Sequence, residues 1–188
     1  MKENKKKGWV SNLLFVVVLG LIVFTPLGTE VKIWVNRFFA FSPSVEAVSN
    51  QESVSGEHWF LKNEQGEEVS FDNLKGKVII VNFWATWCSP CIAEKPSFQE
   101  LYNDYKDEVV FLFVTSEAEE KVKAFKEKHG YTLPVYYPMS APPKVMESSS
   151  IPASFVIDKK GTIVVKKFRA ADWSSDSFRT ILDGLIAE

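Results

Sequence analysis

The sequence predicts an α/β fold in which a central mixed β-sheet is flanked by helices. Residues 78–84 form a continuous apolar run rich in β-branched side chains, which is typical of a strand buried on both faces. After Cys91 the apolar residues recur at helical spacing to about Tyr105. Because further strand and helix patterns follow, the predicted order is β-β-β-α-β-α-β-β-α, with parallel and antiparallel strands in one sheet.

The other elements are predicted from apolar runs and from turn and capping residues. Strands are predicted at 58–61 and 68–71, which flank a turn and form a hairpin, and at 109–115, 154–158 and 162–168. Each remaining long helix is predicted to begin at a serine that caps its first turn. These helices run from Ser116 to His129 and from Ser174 or Ser175 to Ala187. Residues 135–137 and 142–146 suggest a short strand and a short helix.

The N-terminus predicts a membrane anchor. Residues 1–8 are rich in lysine and residues 9–27 carry no charge. About 19 residues of helix span roughly 28 Å, close to the ~30 Å hydrocarbon core of a bilayer. We therefore expect a transmembrane helix at 9–28, with residues 1–8 in the cytoplasm and the rest of the chain outside. A cleaved signal peptide is the alternative, since the most apolar core is short.

Two segments are predicted between the anchor and the folded domain. In residues 29–41 apolar side chains recur at helical spacing, which suits a juxtamembrane amphipathic helix with Trp34 at the headgroups. The alternative is a helix that packs on the globular domain. Residues 42–56 are polar and serine-rich, which predicts a flexible linker. The folded domain is expected at 57–188.

Composition excludes several classes of protein. The 188-residue chain carries a net charge of −2, with an isoelectric point near 5.8. These values give no electrostatic indication of nucleic-acid binding, which is typical of strongly basic domains. Its two cysteines are too few for a fold stapled by disulfides. The apolar content of 46% is enough for one globular domain with a sizeable core.

The two cysteines predict a redox site. A strand that turns through Cys88 and Cys91 into a helix places Cys88 at the helix N-terminus, where free N–H groups and the helix dipole favour a thiolate. Cys88 is therefore the predicted attacking nucleophile, beside Trp87. Cys91, one turn deeper, is the predicted resolving thiol. Pro90 fits the first turn because its missing N–H has no helical partner to lose.

Two other interpretations of the cysteines are weaker. They could be buried and inert. A zinc site would need about four ligands, and His58 and His129 show no finger-like spacing relative to the cysteines. No metal and no cofactor is therefore expected.

The stretch Val81–Cys91 (VNFWATWCSPC), followed by Glu94–Pro96, resembles the thioredoxin-like family. Within that family it is similar to the membrane-anchored, extracytoplasmic TlpA/ResA type of thiol–disulfide oxidoreductase. The resemblance covers roughly residues 57–188 and implies a thioredoxin-like fold. It also places Ile151 and Pro152 in the family's cis-proline loop, where an extended client segment would pair with the Ile151 backbone. Trp87, Pro90, Ile151 and Pro152 are the client-binding residues it implies.

Two departures from the family pattern bear on the chemistry. Cytosolic thioredoxins carry a buried Asp where this chain has Asn82, and Asn cannot exchange a proton. By resemblance to the ResA type, Glu94 is the predicted proton acceptor or relay for Cys91. The alternative for Glu94 is a solvated carboxylate that stabilises the first turns of the helix. Ser89 stands where ResA-type proteins often carry Glu, and by resemblance the residues between the two cysteines tune the reduction potential.

The resemblance implies a membrane-tethered, periplasmic-side reductant of client disulfides. Its partners are client proteins, apocytochrome c cysteines among them, and a membrane electron donor that carries reducing equivalents outward. The alternatives are an oxidant or isomerase that uses the same residues, or a binding module that holds envelope partners and uses its cysteines little. A peroxidase is not expected. By resemblance, that class carries Pro and then Thr or Ser where this chain has Val81 and Ala85.

Overall fold

The structure, a computed structural model, describes residues 9, 12–18, 20, 26–38, 42–45, 52–54, 56 and 58–188. Within the predicted anchor, residues 12–18 are helical. Residues 1–8 lie outside the described ranges, as do the anchor residues 10, 11, 19 and 21–25. In the portion that is described, no helix combines the length and apolar character needed to cross a bilayer.

The predicted juxtamembrane segment is helical over most of its length. Helix α1 spans Pro26–Phe38, whereas Phe41 lies outside the described residues. Val31, Trp34 and Val35 expose 41–67% of their surface. The helix also approaches the helix that follows the cysteines, with Cα atoms of the two within 8 Å. The exposed apolar side chains favour an interfacial helix, whereas the approach to the second helix favours a helix packed on the domain.

The segment predicted as a flexible linker contains a short strand, which corrects that prediction over residues 52–54. Strand β1, Glu52–Ser53, pairs antiparallel with residues 162–163 at the sheet edge. Glu52 forms an ion pair with Lys166, and Val54 is buried. The polar composition hid this strand because only one apolar side chain anchors it.

The described residues form an eight-stranded sheet. Its strands after β1 are β2 (Phe60–Asn63), β3 (Glu68–Ser70), β4 (Val78–Phe83), β5 (Val109–Val114), β6 (Val135–Pro138), β7 (Ala153–Ile157) and β8 (Thr162–Lys167). Their spatial order is β1-β8-β7-β4-β5-β6-β2-β3. The β4, β5 and β6 strands are parallel, and the other pairings are antiparallel. The predicted mixed sheet is confirmed.

The folded domain contains three described helices, of which two lie between strands and one follows the last strand. They are α2 (Ser89–Tyr105), α3 (Glu119–His129) and α4 (Asp176–Ala187). Short 3-10 helices cover Phe71–Leu74 and Lys144–Met146. All three α-helices contribute side chains to one core, on one face of the sheet, represented by Phe98, Val122 and Phe178. A second core on the other face contains Trp59, Phe71 and Met146. The strand β4 lies between both cores and is almost fully buried.

One helix boundary differs from the prediction. Helix α3 begins at Glu119 with Ala118 at its N-cap, so the predicted cap at Ser116 is wrong. The chain is still extended at Thr115, whose N–H donates to the Tyr136 carbonyl. The Thr115 hydroxyl then accepts the Glu117 N–H. These bonds keep residues 115–117 in a loop, and the helix starts after it.

Candidate active site

The cysteines lie at the junction of β4 and α2, in the centre of the sheet. After β4, the Trp84 N–H bonds to the Val114 carbonyl and the Cys88 N–H to the Ala85 carbonyl. Cys88 is the N-cap of α2, and Pro90 lies in its first turn, as predicted. Cys88 and Cys91 form a disulfide.

The two cysteines differ in their surroundings. The Cys91 N–H donates to Cys88 Sγ at 3.3 Å, so this N–H of the first helical turn would stabilise negative charge on that sulfur in the reduced form. Cys88 retains 4% of its surface and Cys91 none. The predicted order of attack requires an outer sulfur close to a helix N–H and an inner, shielded sulfur. Cys88 and Cys91 have this arrangement.

The loop before β7 approaches the outer sulfur. The Ile151–Pro152 peptide bond is cis, as predicted. The Ile151 carbonyl oxygen lies 3.7 Å from Cys88 Sγ. Carbonyl and sulfur are therefore close enough for a client that pairs with the Ile151 backbone to reach Cys88.

A groove of about 440 Å³ lies beside this loop. Trp87, 71% exposed, and Ile151 line it, together with Met146 and Glu117. Pro90 and Pro152, the other predicted client-binding residues, are half-buried and buried, and they do not line this groove. The structure thus brings two of the four together at the groove.

Glu117 is a groove residue that the sequence did not single out. Its carboxylate accepts hydrogen bonds from the Thr86 N–H, at 2.5 Å, and from the Thr86 hydroxyl, at 2.9 Å. The bonds attach the loop before α3 to the turn before the cysteines. They also fix a negative charge at the rim of the groove.

A buried polar network joins the strand and the helix that flank the cysteines. Glu94 is 1% exposed, so the alternative of a solvated helix-face carboxylate is wrong. Its Oε1 accepts from Asn82 Nδ2 at 2.8 Å, and its Oε2 accepts from Trp173 Nε1 at 3.0 Å. Asn82 Nδ2 also donates to Ser154 Oγ, its partner across β4 and β7. Asn82 Oδ1 accepts from Lys95 Nζ at 2.8 Å.

Burial shifts the protonation of both charged members of this network. It raises the pKa of the Glu94 carboxyl to about 7, against the lowering influence of the Lys95 charge and of the bonds from Trp173 and Asn82. It lowers the pKa of the Lys95 ammonium to about 7, against the Glu94 charge. A carboxyl that titrates near neutral pH is suited to accept and return a proton.

The network was only partly foreseen from the sequence. Asn82 and Glu94 were singled out, whereas Lys95 was not, because lysine is almost never fully buried unless it is paired. Trp173 comes from the loop before α4, 79 positions beyond Glu94. The spacing of four residues between Cys91 and Lys95 places both on the same side of a helix, and it is the feature of the sequence that could have indicated burial of Lys95.

The described residues contain no cluster of three or more His, Cys, Asp or Glu side chains arranged to hold a metal ion. His58 Nδ1 pairs instead with the Asp72 carboxylate at 2.6 Å. His129 packs its ring against Phe125 and Tyr131. Both histidines therefore take part in structural contacts with these residues.

A strand that leads through a Cys-x-x-Cys disulfide into a helix, opposite a cis-proline loop, defines a thiol–disulfide oxidoreductase of the thioredoxin fold. Comparison with known proteins agrees with this class. The family described as AhpC/TSA matches residues 57–166, more than half of the chain, and the chain belongs to that family.

Named relatives are oxidoreductases or thioredoxin-like proteins. The thiol-disulfide oxidoreductase ResA of Bacillus cereus is 31% identical over 171 residues, which cover 88% of this chain and 89% of that protein. The thioredoxin-like protein YneN of Bacillus subtilis is 29% identical, with coverage of 84% and 87%. A solved thiol:disulfide interchange protein of the thioredoxin family from Chlorobium tepidum matches with a TM-score of 0.55 at 26% identity, covering 72% of this chain and 97% of that one.

Proposed function

We propose that this oxidoreductase reduces disulfides of client proteins outside the cytoplasm while residues 9–28 tether it to the membrane. The tether is supported by the lysine-rich start and the uncharged segment that follows. The client site is the groove beside Cys88, where Trp87 and the Ile151 backbone would contact an extended segment.

The charges around the cysteines carry the proposed direction of electron flow. Glu117 is the charged residue among those that line the groove, and Glu94 lies one helical turn beyond Cys91. Carboxylates disfavour nearby thiolates. A dithiol whose thiolates gain little stabilisation gives up its electrons more readily than one whose thiolates are strongly stabilised. These surroundings favour a reductant over an oxidant.

The reaction proceeds by two exchanges. The Cys88 thiolate attacks one sulfur of the client disulfide, forms a mixed disulfide, and releases the other client sulfur as a thiolate. Cys91 then passes its thiol proton to the Glu94 carboxylate and attacks Cys88 Sγ. The bond from Cys88 to the client breaks, the second client sulfur leaves as a thiolate, and the Cys88–Cys91 disulfide forms. The client has gained two electrons, and the proton on Glu94 is free to neutralise a departing thiolate.

Return to the dithiol requires a donor outside the cytoplasm. We propose a membrane protein that carries reducing equivalents outward through its own dithiol. Among clients, the cysteines of apocytochrome c are the class to test first, by resemblance to the ResA type.

We expect the Cys88–Cys91 couple to have a midpoint potential close to that of thioredoxin, about −270 mV, because carboxylates flank it. The potential is measured by equilibrating the full-length chain in glutathione or dithiothreitol buffers and counting free thiols. Glu117→Gln should raise the potential, since it removes a negative charge at the groove. A wild-type potential above that of protein disulfide isomerase, about −180 mV, would favour the oxidant or isomerase alternative.

We expect the domain that carries the cysteines to lie outside the cytoplasm, because lysines precede the uncharged segment. Alkaline phosphatase, active only after export, should be active when fused after Glu188. A fused reporter that works only in the cytoplasm would contradict both the anchor and the compartment. A mature protein that begins near residue 48 would show that the segment is cleaved and is no permanent tether.

A further inference from the structure

The active-site helix buries a lysine that the two exchange steps leave unassigned. Lys95 is 1% exposed, and its ammonium donates to Asn82 Oδ1 at 2.8 Å. Removing an ammonium from water is costly unless other groups stabilise it. The residues around Lys95 must therefore offset the cost of burying its ammonium.

The contacts of Lys95 offset part of the desolvation that lowers the pKa of its ammonium to about 7. The Nζ atom lies 4.2 Å from the centre of the Trp84 ring and 4.4 Å from that of Phe113, with Phe98 at 5.6 Å. Aromatic faces attract cations, and the attraction is larger where water is excluded. Asn82 Oδ1 also presents a carbonyl oxygen, which can only accept. A neutral amine would lose most of these interactions.

Asn82 links this cation to Glu94. Its amide accepts from Lys95 on one side and donates to Glu94 Oε1 at 2.8 Å on the other. Because the amide oxygen faces an ammonium, its NH₂ group is turned toward Glu94 and toward Ser154 Oγ. The amide cannot take a proton from either charged neighbour, so it joins the two charges without neutralising them.

We propose that Lys95 is a positioning residue for the dithiol reaction, whose buried ammonium, held by Asn82 and the rings of Trp84 and Phe113, keeps the Glu94 carboxylate ionised and ready to accept the Cys91 proton. This role rests on the proposed function of Glu94 as proton acceptor. It also explains why the charged pair is buried on the helix face that carries Cys91, where Cys91 and Lys95 are four residues apart.

Other titratable groups reach the same region from neighbouring elements. The small cavity next to Lys95 is also lined by Lys126 of α3 and by Tyr131, which follows that helix. Lys126 pairs with Glu64 of the β2–β3 turn at 2.6 Å, so its charge is balanced locally. Within the hydrogen-bonded network of Asn82, the cation is Lys95 and the anion is Glu94.

The direction of the effect follows from charge. Removing a cation near a carboxyl raises the pKa of that carboxyl. Burial already raises the pKa of Glu94 to about 7. In the Lys95→Met variant this pKa would be higher still, so Glu94 would be protonated at neutral pH. Resolution by Cys91 would then slow about tenfold for each unit of the shift, at pH values below the new pKa. The rate should recover at alkaline pH, where the carboxyl ionises again.

The test uses the full-length chain with Lys95→Met and Lys95→Gln. Met suits the aromatic surroundings, and Gln keeps a donor for Asn82 Oδ1 while removing the charge. The indole N–H of Trp173 bonds to Glu94 Oε2, so its NMR resonance reports the ionisation of Glu94 directly. We expect its titration midpoint to rise by more than one pH unit in both variants. Resolution of a peptide mixed disulfide should show the same displacement.

Two comparisons separate the possible failures. Lys126→Met removes a cation from the other side of the same cavity and should leave the Trp173 midpoint near its wild-type value. A midpoint that is also unchanged in both Lys95 variants would overturn the role of Lys95. If Glu94→Gln resolves the mixed disulfide as fast as wild type, the proton-acceptor role of Glu94 fails, whatever the Lys95 variants show. In the double variant Glu94→Gln/Lys95→Met, the loss should equal that of Glu94→Gln alone.

Discussion

Cys91→Ser should accumulate covalent complexes with client proteins, and a reductant should release them. The outer sulfur can still attack, because Cys88 Sγ lies 3.7 Å from the carbonyl oxygen of the groove residue Ile151 and accepts the helix N–H of Cys91. Without a thiol at position 91 the mixed disulfide has no internal attacker, so the second exchange stops. Turnover should be abolished. The complexes are measured on non-reducing gels after affinity capture of the full-length chain from cells.

Cys88→Ser is the matched control. It keeps the second thiol, but Cys91 has no exposed surface and cannot reach a client sulfur. This variant should trap little and should also lose turnover. Equal trapping by both variants, or none by either, would contradict the order of attack. A double Cys variant that still supports function in cells would favour the binding-module alternative over an enzyme.

The strongest local patterns in the sequence predicted the centre of the site. The apolar run of β4, the helical spacing of α2 and the Cys-x-x-Cys pair between them are all contained within 28 consecutive residues. Periodicity and turn chemistry act at this range. The cis peptide bond at Pro152 came from the family resemblance, since composition does not distinguish one proline from another.

What the sequence did not show depends on contacts between distant segments. Glu117 enters the site because its loop returns beside Thr86, 31 positions earlier. Trp173 reaches Glu94 from the loop before the last helix. The residue type of Lys95 predicts a surface position, whereas the rings of Trp84 and Phe113 and the Asn82 oxygen make its burial tolerable. The β1 and β6 strands were missed or uncertain because each is short and pairs with distant strands.

The buried carboxylate also sets a condition on any test of its role. Glu94 accepts at both oxygens, from Asn82 on one side and from Trp173 on the other. A glutamine can accept at only one of them, and its NH₂ group would face a donor. An unsatisfied buried donor costs about 1–3 kcal/mol. Glu94→Gln should therefore be somewhat less stable than wild type, and its kinetics must be measured well below its unfolding midpoint.

Glu94→Gln should slow the resolution of the mixed disulfide by about 10²–10⁴-fold, the range for loss of a general base, and by less if water partly substitutes. Cys91 must lose its proton at a buried position, where desolvation raises the pKa of a thiol. Glu94 lies one helical turn away, and burial raises the pKa of its carboxyl to about 7. Resolution by wild type should therefore accelerate as pH rises through about 7, and the variant should lose this dependence.

Thiol alkylation rates measured against pH provide the second measurement. A nearby negative charge raises the pKa of a cysteine, so Glu94→Gln should lower the cysteine pKa values even as it slows resolution. Glu100→Gln, which changes an exposed carboxylate on the same helix, is the control and should change neither profile. Loss of the proton acceptor should make alkylation faster and resolution slower. A general loss of structure would not lower the cysteine pKa values and slow only the second exchange. Superimposable profiles and unchanged resolution would leave Glu94 with a structural role alone.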